Sequence, residues 1–463
     1  MKASYIFYLI VFSIILLSCV NDDEVISQDP AYQLSFSTDT VTFDTVFTSI
    51  GSVTKRFIVR NQNPNALIIE NIFVGKGNES PYSITVSGYE SNFVENQQIL
   101  GNDSLLVLVT VEIDPSDESL PFIVRDSIVF ITNGNVQDVK LQSWGQNAIF
   151  LGNTVLECDT QWSADLPYFL FGSILIDTLC TLQIEKGVNI FSSFETYIFV
   201  RGTLQIKGEA DARVVLRNER LEPEYENIPG QWGGFIFLEG SNNNLIEYTD
   251  IRNVQYGIRL GTPDTDSIPD IVLKNVRIEN SAVAGIAAFN SDLLAENTLI
   301  NTSTGYVVGN FAGGYYTYNH CTIANYPVAF FSGDAAFVVT DNLDLEDGSN
   351  LYNPINISLS NTIVWGNLEE EIVLNLSQPD QSNIQTWNSI LKTSLDILEG
   401  DGTFLSTETE FMQFRDIDNY DYTPDSLSPA IDNALGSEME YDLFGLQRDS
   451  LPDIGAIEYL LNN

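Results

Sequence analysis

Residues 357–373 read ISLSNTIVWGNLEEEIV, in which two runs of alternating apolar and polar residues flank Asn361. Similar words recur along the chain as YTDIRN, NVRIEN, NTLINT, HCTIAN and NSILK, beginning at Tyr248, Asn275, Asn297, His320 and Asn388. The first residues of successive words are 27, 22, 23, 41 and 27 positions apart. A period in the twenties is typical of a solenoid, in which each repeat forms one coil.

The position three residues into each word is always apolar, and it is occupied by Ile251, Ile278, Ile300, Ile323, Val364 and Leu391. The words are rich in strand-forming residues, and no segment shows the period of a helix. We therefore predict an all-β solenoid, a parallel β-helix. In this prediction the apolar position points inward, and stacking of the coils buries it in a continuous column.

The first position of the word is usually Asn, a residue that tolerates left-handed backbone and carries both a donor and acceptors. Stacked Asn side chains can hydrogen-bond to one another along successive coils. We therefore predict that the repeated Asn is structural and forms a ladder. His320 occupies this column, so we predict that it replaces a ladder Asn; the alternative is a catalytic base.

Earlier coils are visible as alternating strands separated by Gly187, Gly202, Gly208 and Gly240. The predicted β-helix therefore spans residues 150–400. The segments TLQIEKGVNIF and RLEPEYENIPGQWGGF, together with the Asn words, resemble right-handed parallel β-helix lipoproteins of Bacteroidetes, which are pectin-lyase-like in fold. The resemblance implies a right-handed solenoid, but it implies no particular activity.

Residues 32–146 contain short alternating runs separated by turn residues, which indicates an antiparallel β-sandwich. The pattern Asn-x-Asn-Pro-x-Ala-Leu-x-Ile at residues 61–69 resembles Ig-like domains of the ASPM/SPD-2/hydin type. Such modules usually act as spacers or binding domains.

The C-terminal region, residues 401–463, contains SPAID at 428–432 and DIGAIE at 453–458, with Asp442, Gly445 and Arg448 between them. These motifs resemble the choice-of-anchor Q region. We predict a structural cap in which Arg448 pairs with Asp432, Asp442 or Asp453 and covers the open end of the last coil, as solenoids require.

The chain of 463 residues has 63 acidic and 20 basic side chains, a formal net charge of −43. No stretch is basic enough to hold a phosphate backbone, so nucleic acid is not an expected partner. The acidic surface favours a solvated, soluble protein; the alternative is binding of cations or cationic partners.

The N-terminus has a basic residue, Lys2, followed by the apolar stretch Tyr5–Leu17, which has the length of a signal-peptide core and is short for a membrane span. The stretch ends in Leu-Leu-Ser-Cys19, which resembles a bacterial lipobox. The resemblance implies a signal peptide at 1–18 and lipidation of Cys19. An ordinary secretory signal with an incidental cysteine is the alternative.

Residues 19–31 are predicted to be a tether. Its acidic run Asp22-Asp23-Glu24 resembles the surface-export signal of Bacteroidetes lipoproteins; otherwise it is only a polar spacer. We therefore expect an outer-membrane lipoprotein that faces out of the cell and contacts the membrane only through its lipid anchor.

A non-periodic loop at 217–234 combines side chains that could recognise a sugar. Cationic and acidic groups hydrogen-bond to hydroxyls, and an exposed aromatic ring stacks on a pyranose. The candidate ligand-binding residues are Arg217, Arg220, Glu222, Tyr225 and Trp232. The alternative is a Gly-rich bend with Trp232 packed over the edge of the coil.

The long 41-residue interval contains about 15–20 inserted residues with an acidic run. Four carboxylates there could supply oxygen ligands for Ca²⁺, the only candidate cofactor: Asp341, Asp344, Glu346 and Asp347. Their spacing does not match an EF-hand, and a solvated acidic loop is the alternative.

Cys158 and Cys180 are 22 residues apart, which is one coil of the predicted solenoid. Stacked coils lie about 4.8 Å apart, within the Cα separation that a disulfide accepts. We predict a disulfide between them and a free thiol at Cys321. An irregular first coil with diverging thiols is the alternative.

Many β-helices cleave polysaccharides, but the polygalacturonase motifs are absent; the nearest match to Arg-Ile-Lys is Arg277-Ile278-Glu279. We therefore predict a non-catalytic binding or structural protein that acts on a polysaccharide or on an envelope or cell-surface protein. The alternative is a polysaccharide lyase or hydrolase with a carboxylate-based site. Carboxylates converging with Arg or Lys in a groove would favour the enzyme, and an aromatic patch would favour binding.

Overall fold

The structure is a computed structural model that describes residues 25–115, 121–263, 266–326, 333–344, 349–436 and 439–460. The chain divides into two compact units, residues 1–147 and 148–463. Residues 1–24, which include the predicted signal peptide, the predicted lipidation site Cys19 and the acidic run at 22–24, lie outside the described residues.

The described part of the N-terminal unit contains two five-stranded sheets. One consists of Ser35–Phe36, Lys55–Arg60, Tyr82–Val86, Tyr89–Glu90 and Ser104–Val111, and the other of Thr40–Phe47, Leu67–Val74, Phe93–Ile99, Phe122–Thr132 and Asn135–Gln146. Alternate residues of both sheets, among them Phe57, Val107, Ile72 and Phe130, form one apolar core. The unit is therefore a two-layer β structure, and a 3₁₀ turn lies at Gly77–Glu79.

The second unit is a parallel β-helix whose coils present three strand columns, here named face A, face B and face C. Face A is an 11-stranded parallel sheet in the described chain. Its strands are Ile149–Leu151, Tyr168–Leu170, Asn189–Ser192, Val214–Asn218, Thr249–Arg252, Arg277–Ser281, Leu299–Ser303, Thr322–Asn325, Ile363–Gly366, Ile390–Leu391 and Phe404–Leu405.

Faces B and C belong to one larger sheet because the two longest strands, Ala284–Glu296 and Tyr306–Asn319, pass from face B into face C. Face B also contains Thr154–Val155, Ile174–Ile176, Tyr197–Val200, Trp232–Phe237, Val254–Leu260, Phe337–Thr340 and Ile372–Asn375. Face C also contains Thr160–Trp162, Thr181–Glu185, Thr203–Lys207, Asn244–Glu247, Ile271–Lys274, Ile355–Ser360 and Asn383–Trp387.

The predicted interior column is confirmed. On face A, Ile251 pairs in register with Ile278, and the column continues through Ile300 and Ile323 to Val364 and Leu391. All six side chains are fully buried in the main apolar core. The long interval before Asn361 contains an antiparallel hairpin, Asn342–Asp344 with Asn350–Tyr352, which interrupts the passage from face B to face C.

The first residue of every repeated word has left-handed backbone. The φ values are 43° at Tyr248, 56° at Asn275, 46° at Asn297, 51° at His320, 48° at Asn361 and 43° at Asn388. This column forms the corner at which the chain leaves face C and enters face A. The backbone role expected for Asn is therefore present.

The hydrogen bonds of this column differ from the prediction. Asn275 and Asn297 donate to the main-chain oxygens of Asp442 and Tyr441 instead of to each other. Asn361 accepts from the main-chain N–H of Leu435 at 3.1 Å. The partner of the column is therefore the C-terminal region.

A side-chain ladder does occur at the other end of the face A strands. The Asn253 amide donates to Asn218 at 2.7 Å, and the Asn280 amide donates to Asn253 at 3.3 Å. Asn253 and Asn280 stand at the last position of the words YTDIRN and NVRIEN. The prediction thus chose the correct interaction but the wrong corner.

The C-terminal segment, defined as the described residues of 406–460, follows the last face A strand and lies along the outside of face A. Its residues Met412, Tyr422, Leu443, Ile454 and Ala456 form a second core with outward-pointing face A residues, including Leu299, Ile363 and Trp365. The segment contains the strand pair Phe414–Asp416 with Asp421–Pro424. Further 3₁₀ turns of the unit are Pro223–Tyr225, Pro379–Gln381, Asp396–Leu398 and Ile417–Asn419.

Arg448 does not form the predicted plug over the open coil. Its guanidinium is buried beside face A, where it pairs with Glu458 at 2.9 Å and donates to Asn297 at 3.1 Å. It also donates to the main-chain oxygens of Asp453 and Gly455. Arg448 therefore fixes the C-terminal segment laterally, against the corner column.

Candidate functional site

The predicted binding loop brings three of its five candidate residues together. Arg220 forms an ion pair with Glu222 at 3.1 Å, and its guanidinium lies 3.9 Å from the centre of the Tyr225 ring. The main chain of the loop is held by Asn253, whose amide donates to Tyr225 and Glu226. These side chains bind one another, and the tyrosine ring face is already covered by the arginine.

Trp232 and Arg217 do not join that cluster. Trp232 is fully buried, and its indole N–H donates to the main-chain oxygen of Arg252 at 2.8 Å. Its ring packs in the main apolar core of the β-helix and is not exposed for stacking on a sugar. Arg217 lies half-buried on face A, where burial and the neighbouring Arg252 lower its pKa.

The predicted Ca²⁺ ligands are only partly described, because Glu346 and Asp347 lie outside the described residues. Asp341 is buried, and its carboxylate accepts the main-chain N–H groups of Ser377 at 2.7 Å and Gln378 at 2.9 Å. Asp344 accepts from Asn350. Within the described ranges, no group of three or more acidic, histidine or cysteine side chains could hold a metal.

His320 is buried beneath the C-terminal segment, with Nδ1 3.3 Å from the main-chain oxygen of Gly455. Burial, followed by the charge of Arg448, lowers its pKa to about 3. The ring is therefore neutral at physiological pH and has no access to solvent. This environment supports the structural role, which remains to be tested by substitution.

The largest charged cluster of face A is paired and mostly covered. Asp250 forms ion pairs with both Arg213 and Arg277. Burial raises the pKa of Asp250, but the hydrogen bonds and charges of the two arginines outweigh it, so the pKa is lowered overall. Two residues further along the same two strands, Arg252 pairs with Glu279 at 2.9 Å. Carboxylates and arginines do converge here, but they neutralise one another.

Cys158 and Cys180 lie on neighbouring coils with their Cα atoms 4.5 Å apart, and the structure joins their sulfur atoms. Cys321 is a free, buried thiol. The disulfide pairing stays a prediction until the thiols are counted chemically.

Face B carries a half-exposed aromatic surface that the sequence analysis missed. We name the following six residues the aromatic surface: Tyr197, Phe199, Tyr256, Phe289, Tyr306 and Phe311. They occupy outward positions of face B because the alternate residues, such as Ile198, Ile258 and Val308, point into the core.

The three tyrosines stand in one column, on every second coil. Tyr197 is in register with Gly234, Gly234 with Tyr256, Tyr256 with Ala284, and Ala284 with Tyr306. Coils rise about 4.8 Å each, so these tyrosines repeat about every 10 Å. The small residues between them leave room for a ring to lie along the solenoid axis.

Tyr197 shows this arrangement directly. A Cβ on Gly233, one coil further on, would meet the Tyr197 ring at 2.4 Å, and the tyrosine hydroxyl donates to Gln255, another coil on, at 2.9 Å. The ring therefore lies along the sheet and is held at both ends. Gly234 is required as well, because its φ is +100° and a Cβ would lie 1.6 Å from the main-chain oxygen of Tyr256.

The hydroxyls of Tyr197 and Tyr306 stay protonated at neutral pH. Burial, followed by the charge of Tyr256, raises the pKa of Tyr197 and raises that of Tyr306 to about 12. The single hydroxyl proton of Tyr197 is already donated to Gln255, so the remaining hydrogen-bonding capacity of this hydroxyl is that of an acceptor, whereas the Tyr306 hydroxyl keeps its proton next to the rings. Beyond them, Phe289 and Phe311 stack with ring centres 5.0 Å apart, and the Arg259 guanidinium lies 5.2 Å from the centre of the Phe289 ring.

The matching family model is described as a pectate-lyase-like β-helix domain and covers residues 153–310. This range is about a third of the chain, and it contains most of the aromatic surface. The β-helix unit is therefore similar to pectate-lyase-like domains. No curated protein is significantly similar to the chain.

Solved structures show only distant similarity. A family 123 glycoside hydrolase from Clostridium perfringens is 12% identical over 27% of this chain and 26% of its own, with a TM-score of 0.18. The chain thus spans about a quarter of that hydrolase. The catalytic domain of a GH87 α-1,3-glucanase, in complex with tetrasaccharides, is 11% identical over 75% of this chain and 67% of its own, with a TM-score of 0.21.

The ASH/PapD-like domain of human CEP192 is 10% identical over 28% of this chain and 95% of its own, with a TM-score of 0.18. At these identities and TM-scores the similarities carry no argument about function. The described residues contain no helix that is long and apolar enough to cross a membrane.

Proposed function

We propose that the protein binds a polysaccharide along the aromatic surface of face B, without cleaving it, as a lipid-anchored protein on the outer membrane. The observation that carries the binding proposal is the column of Tyr197, Tyr256 and Tyr306 on alternate coils. The anchoring part rests on the lipobox-like sequence that ends at Cys19.

The column fits an extended glycan in three respects. Its repeat of about 10 Å is close to the length of two sugar residues in an extended chain. Rings that lie along the sheet offer apolar surface to sugar rings, while tyrosine hydroxyls and Arg259 supply hydrogen bonds to sugar hydroxyls. The rings are fixed before binding, which lowers the entropic cost of association.

Binding is favoured over catalysis because the carboxylates and arginines that converge beside face A pair with one another. Asp250 is saturated by Arg213 and Arg277, and Arg448 by Glu458. A general acid or base must reach the substrate, and these buried pairs lie beside the C-terminal segment. The residues of the aromatic surface, in contrast, are partly exposed and can contact a bound chain.

The experiment compares binding of purified protein to a panel of immobilised polysaccharides, with Tyr256→Ala and Tyr256→Phe as the test pair. Loss of the ring should weaken binding about fivefold to tenfold, whereas Tyr256→Phe should retain most of the affinity. Tyr89→Ala, at a tyrosine that is 77% exposed on the N-terminal unit, is the matched control and should bind as wild type.

The same samples are assayed for new reducing ends and for the absorbance of unsaturated uronates. Turnover that is lost in Tyr256→Ala would establish the lyase or hydrolase alternative in place of simple binding. If no polysaccharide binds and a protein of the cell envelope is retained instead, the ligand class proposed here is wrong.

A further inference from the structure

A cavity of about 200 Å³ opens at the corner between face B and face C. Its lining includes Asp266, Asn290, Asp292, Tyr315 and Asn356. The last three stand in register on successive coils, so the cavity is built on a regular part of the sheet. We name it the corner cavity.

Two glycines create the space. Gly313 and Gly314 have φ values of +111° and +99°, where other residues are strained. A Cβ on Gly313 would meet the Asn290 side chain at 2.4 Å, and one on Gly314 would meet the main-chain oxygen of Ser291 at 2.1 Å. Only a chain without side chains at these two positions can approach the neighbouring coil so closely.

The polar lining is fixed before any ligand arrives. Asp292 is nearly buried, and its Oδ1 accepts the main-chain N–H of Tyr315 at 2.8 Å. Asp270, on the preceding coil, accepts the main-chain N–H of Asp292 at 2.9 Å and the hydroxyl of Thr262 at 2.7 Å. The Tyr315 side chain, in contrast, is 47% exposed and offers its ring to solvent.

The corner cavity is continuous in sequence with the aromatic surface. Phe289 directly precedes Asn290, and Phe311 directly precedes the turn that contains Gly313. Both strands pass from face B into face C at this corner. A chain that lies on the stacked rings of Phe289 and Phe311 would therefore reach the cavity with its next sugar residue.

We propose that the corner cavity is a subsite for one neutral sugar residue of the bound polysaccharide and that it rejects uronates. This inference rests on the proposed function. The cavity is smaller than a typical small-molecule pocket of about 300–1,000 Å³, so it suits a single ring. Tyr315 supplies a stacking surface and Asn290 and Asn356 supply amides for sugar hydroxyls, while the carboxylates of Asp266 and Asp292 give the cavity its negative charge.

Rejection of uronates follows from charge. A sugar carboxylate placed here would face Asp266 and Asp292 at short range, in a protein with a formal net charge of −43. Like charges that are juxtaposed in a partly desolvated site oppose binding. A hydroxymethyl group at the same position meets no such repulsion.

The test measures calorimetric affinities of the full chain for neutral hexasaccharides (cello-, xylo- and manno-oligosaccharides) and for hexagalacturonic acid. Wild type should bind at least one neutral probe about tenfold more tightly than hexagalacturonic acid. Tyr315→Ala should weaken binding of the neutral probe by about fivefold to tenfold. Asp292→Asn, which keeps an acceptor for the Tyr315 N–H, should reduce the difference in affinity between the neutral probe and hexagalacturonic acid.

Thr317→Ala is the matched control, because Thr317 points outward on the same strand but does not line the cavity. It should bind as wild type, and thermal unfolding should show that all variants are folded.

If Tyr315→Ala and Asp292→Asn bind every probe as wild type while Tyr256→Ala is weakened, the subsite is overturned and the aromatic surface stands. If wild type prefers hexagalacturonic acid, the charge argument is wrong. Absence of binding to any glycan overturns the proposed function itself.

Discussion

At the scale of single residues, the repeated corner position selects for backbone conformation first. All six members of the column have positive φ, including Tyr248 and His320, which are not Asn. Asn is frequent there because its side chain tolerates this conformation at low cost. The sequence predicted this feature, but it could not show the hydrogen-bond partners, because these belong to a segment about 70–170 residues further along the chain.

His320 gives a prediction for the pH dependence of stability. Its pKa is lowered from 6.5 to about 3 in the fold, so below pH 6.5 only the unfolded chain takes up the proton. The contribution of the neutral ring to the free energy of unfolding is therefore complete above pH 6.5, and it is lost as the pH falls toward 3. By linkage, the free energy of unfolding of the wild type should fall by about 3 kcal/mol between pH 7 and pH 4, relative to that of His320→Asn.

Urea unfolding of both proteins at a series of pH values measures this difference. His320→Asn keeps a residue that suits the φ of 51°, so it should fold and bind polysaccharide as wild type does. A constant stability difference across the pH range would show that His320 is not held neutral. Loss of binding with the fold intact would instead assign the ring a functional role.

Asn297 and Asn388 separate the backbone role of the column from its contacts. Glycine at either position retains positive φ, but only Asn297 bonds to the C-terminal segment, through Tyr441 and Arg448. Asn297→Gly removes the hydrogen bonds to Tyr441 and Arg448, one of them to a buried charge, and should cost about 2 kcal/mol more than Asn388→Gly. Urea midpoints provide the measurement, and equal losses would contradict the proposed lateral contact.

At the scale of elements, face A differs from the sequence-based prediction because both surfaces of its later strands, such as Leu299–Ser303 and Ile363–Gly366, are buried. Ile363, Val364 and Trp365 are consecutive and apolar, the pattern of a strand that is covered on both sides. The alternation rule directed attention to Val364 alone and so placed the C-terminal segment over the end of the solenoid. Outward residues such as Leu299 carried the missing signal.

The candidate site was missed at the same scale. Tyr197, Tyr256 and Tyr306 are separated by about 50–60 residues, and the insertions in loops make the repeat irregular. Their alignment depends on strand register, which includes a bulge between Gly234 and Phe235. The sequence showed aromatic residues in abundance, but the prediction searched for a site in loops, where Trp232 was the most conspicuous ring.

The first coils provide a chemical prediction. Cys158 and Cys180 lie on adjacent coils with their Cα atoms 4.5 Å apart, so oxidised protein should contain this disulfide. Mass spectrometry of the unreduced, alkylated protein should show modification of Cys321 alone, after unfolding, among these three cysteines. Closing a loop of about 20 residues should stabilise the fold by about 3 kcal/mol.

Reduction of the native protein should therefore lower its unfolding midpoint, and Cys158→Ala should reproduce that shift without any reducing agent. Alkylation of Cys158, Cys180 and Cys321 together in the unreduced sample would contradict the pairing.

At the scale of the whole molecule, the acidic composition bears on both the expected location and the ligand. A net charge of −43 keeps a large β-rich protein soluble and disfavours anionic ligands, in agreement with the neutral glycan proposed for the corner cavity. Salt screens exposed charges but screens desolvated charges much less. Discrimination against hexagalacturonic acid should therefore persist at high salt if it comes from desolvated carboxylates of the cavity, and it should disappear if it comes from the exposed acidic surface.

The lipid anchor is the prediction that concerns the molecule as a whole. If Cys19 carries the acyl chains, Cys19→Ala should move the protein from the membrane fraction to the soluble fraction, since each buried CH₂ contributes about 0.8 kcal/mol to anchoring and two or more chains are needed for stable attachment. Cys321→Ala, at a buried thiol remote in sequence from the lipobox-like motif, should leave fractionation unchanged.

Export is tested separately by replacing Asp22, Asp23 and Glu24 with alanine, which should make the protein inaccessible to protease on intact cells while it stays in the membrane fraction. Retention of the Cys19→Ala protein in the membrane would disprove the anchor, and unchanged protease accessibility of the triple variant would leave the acidic run as a polar spacer.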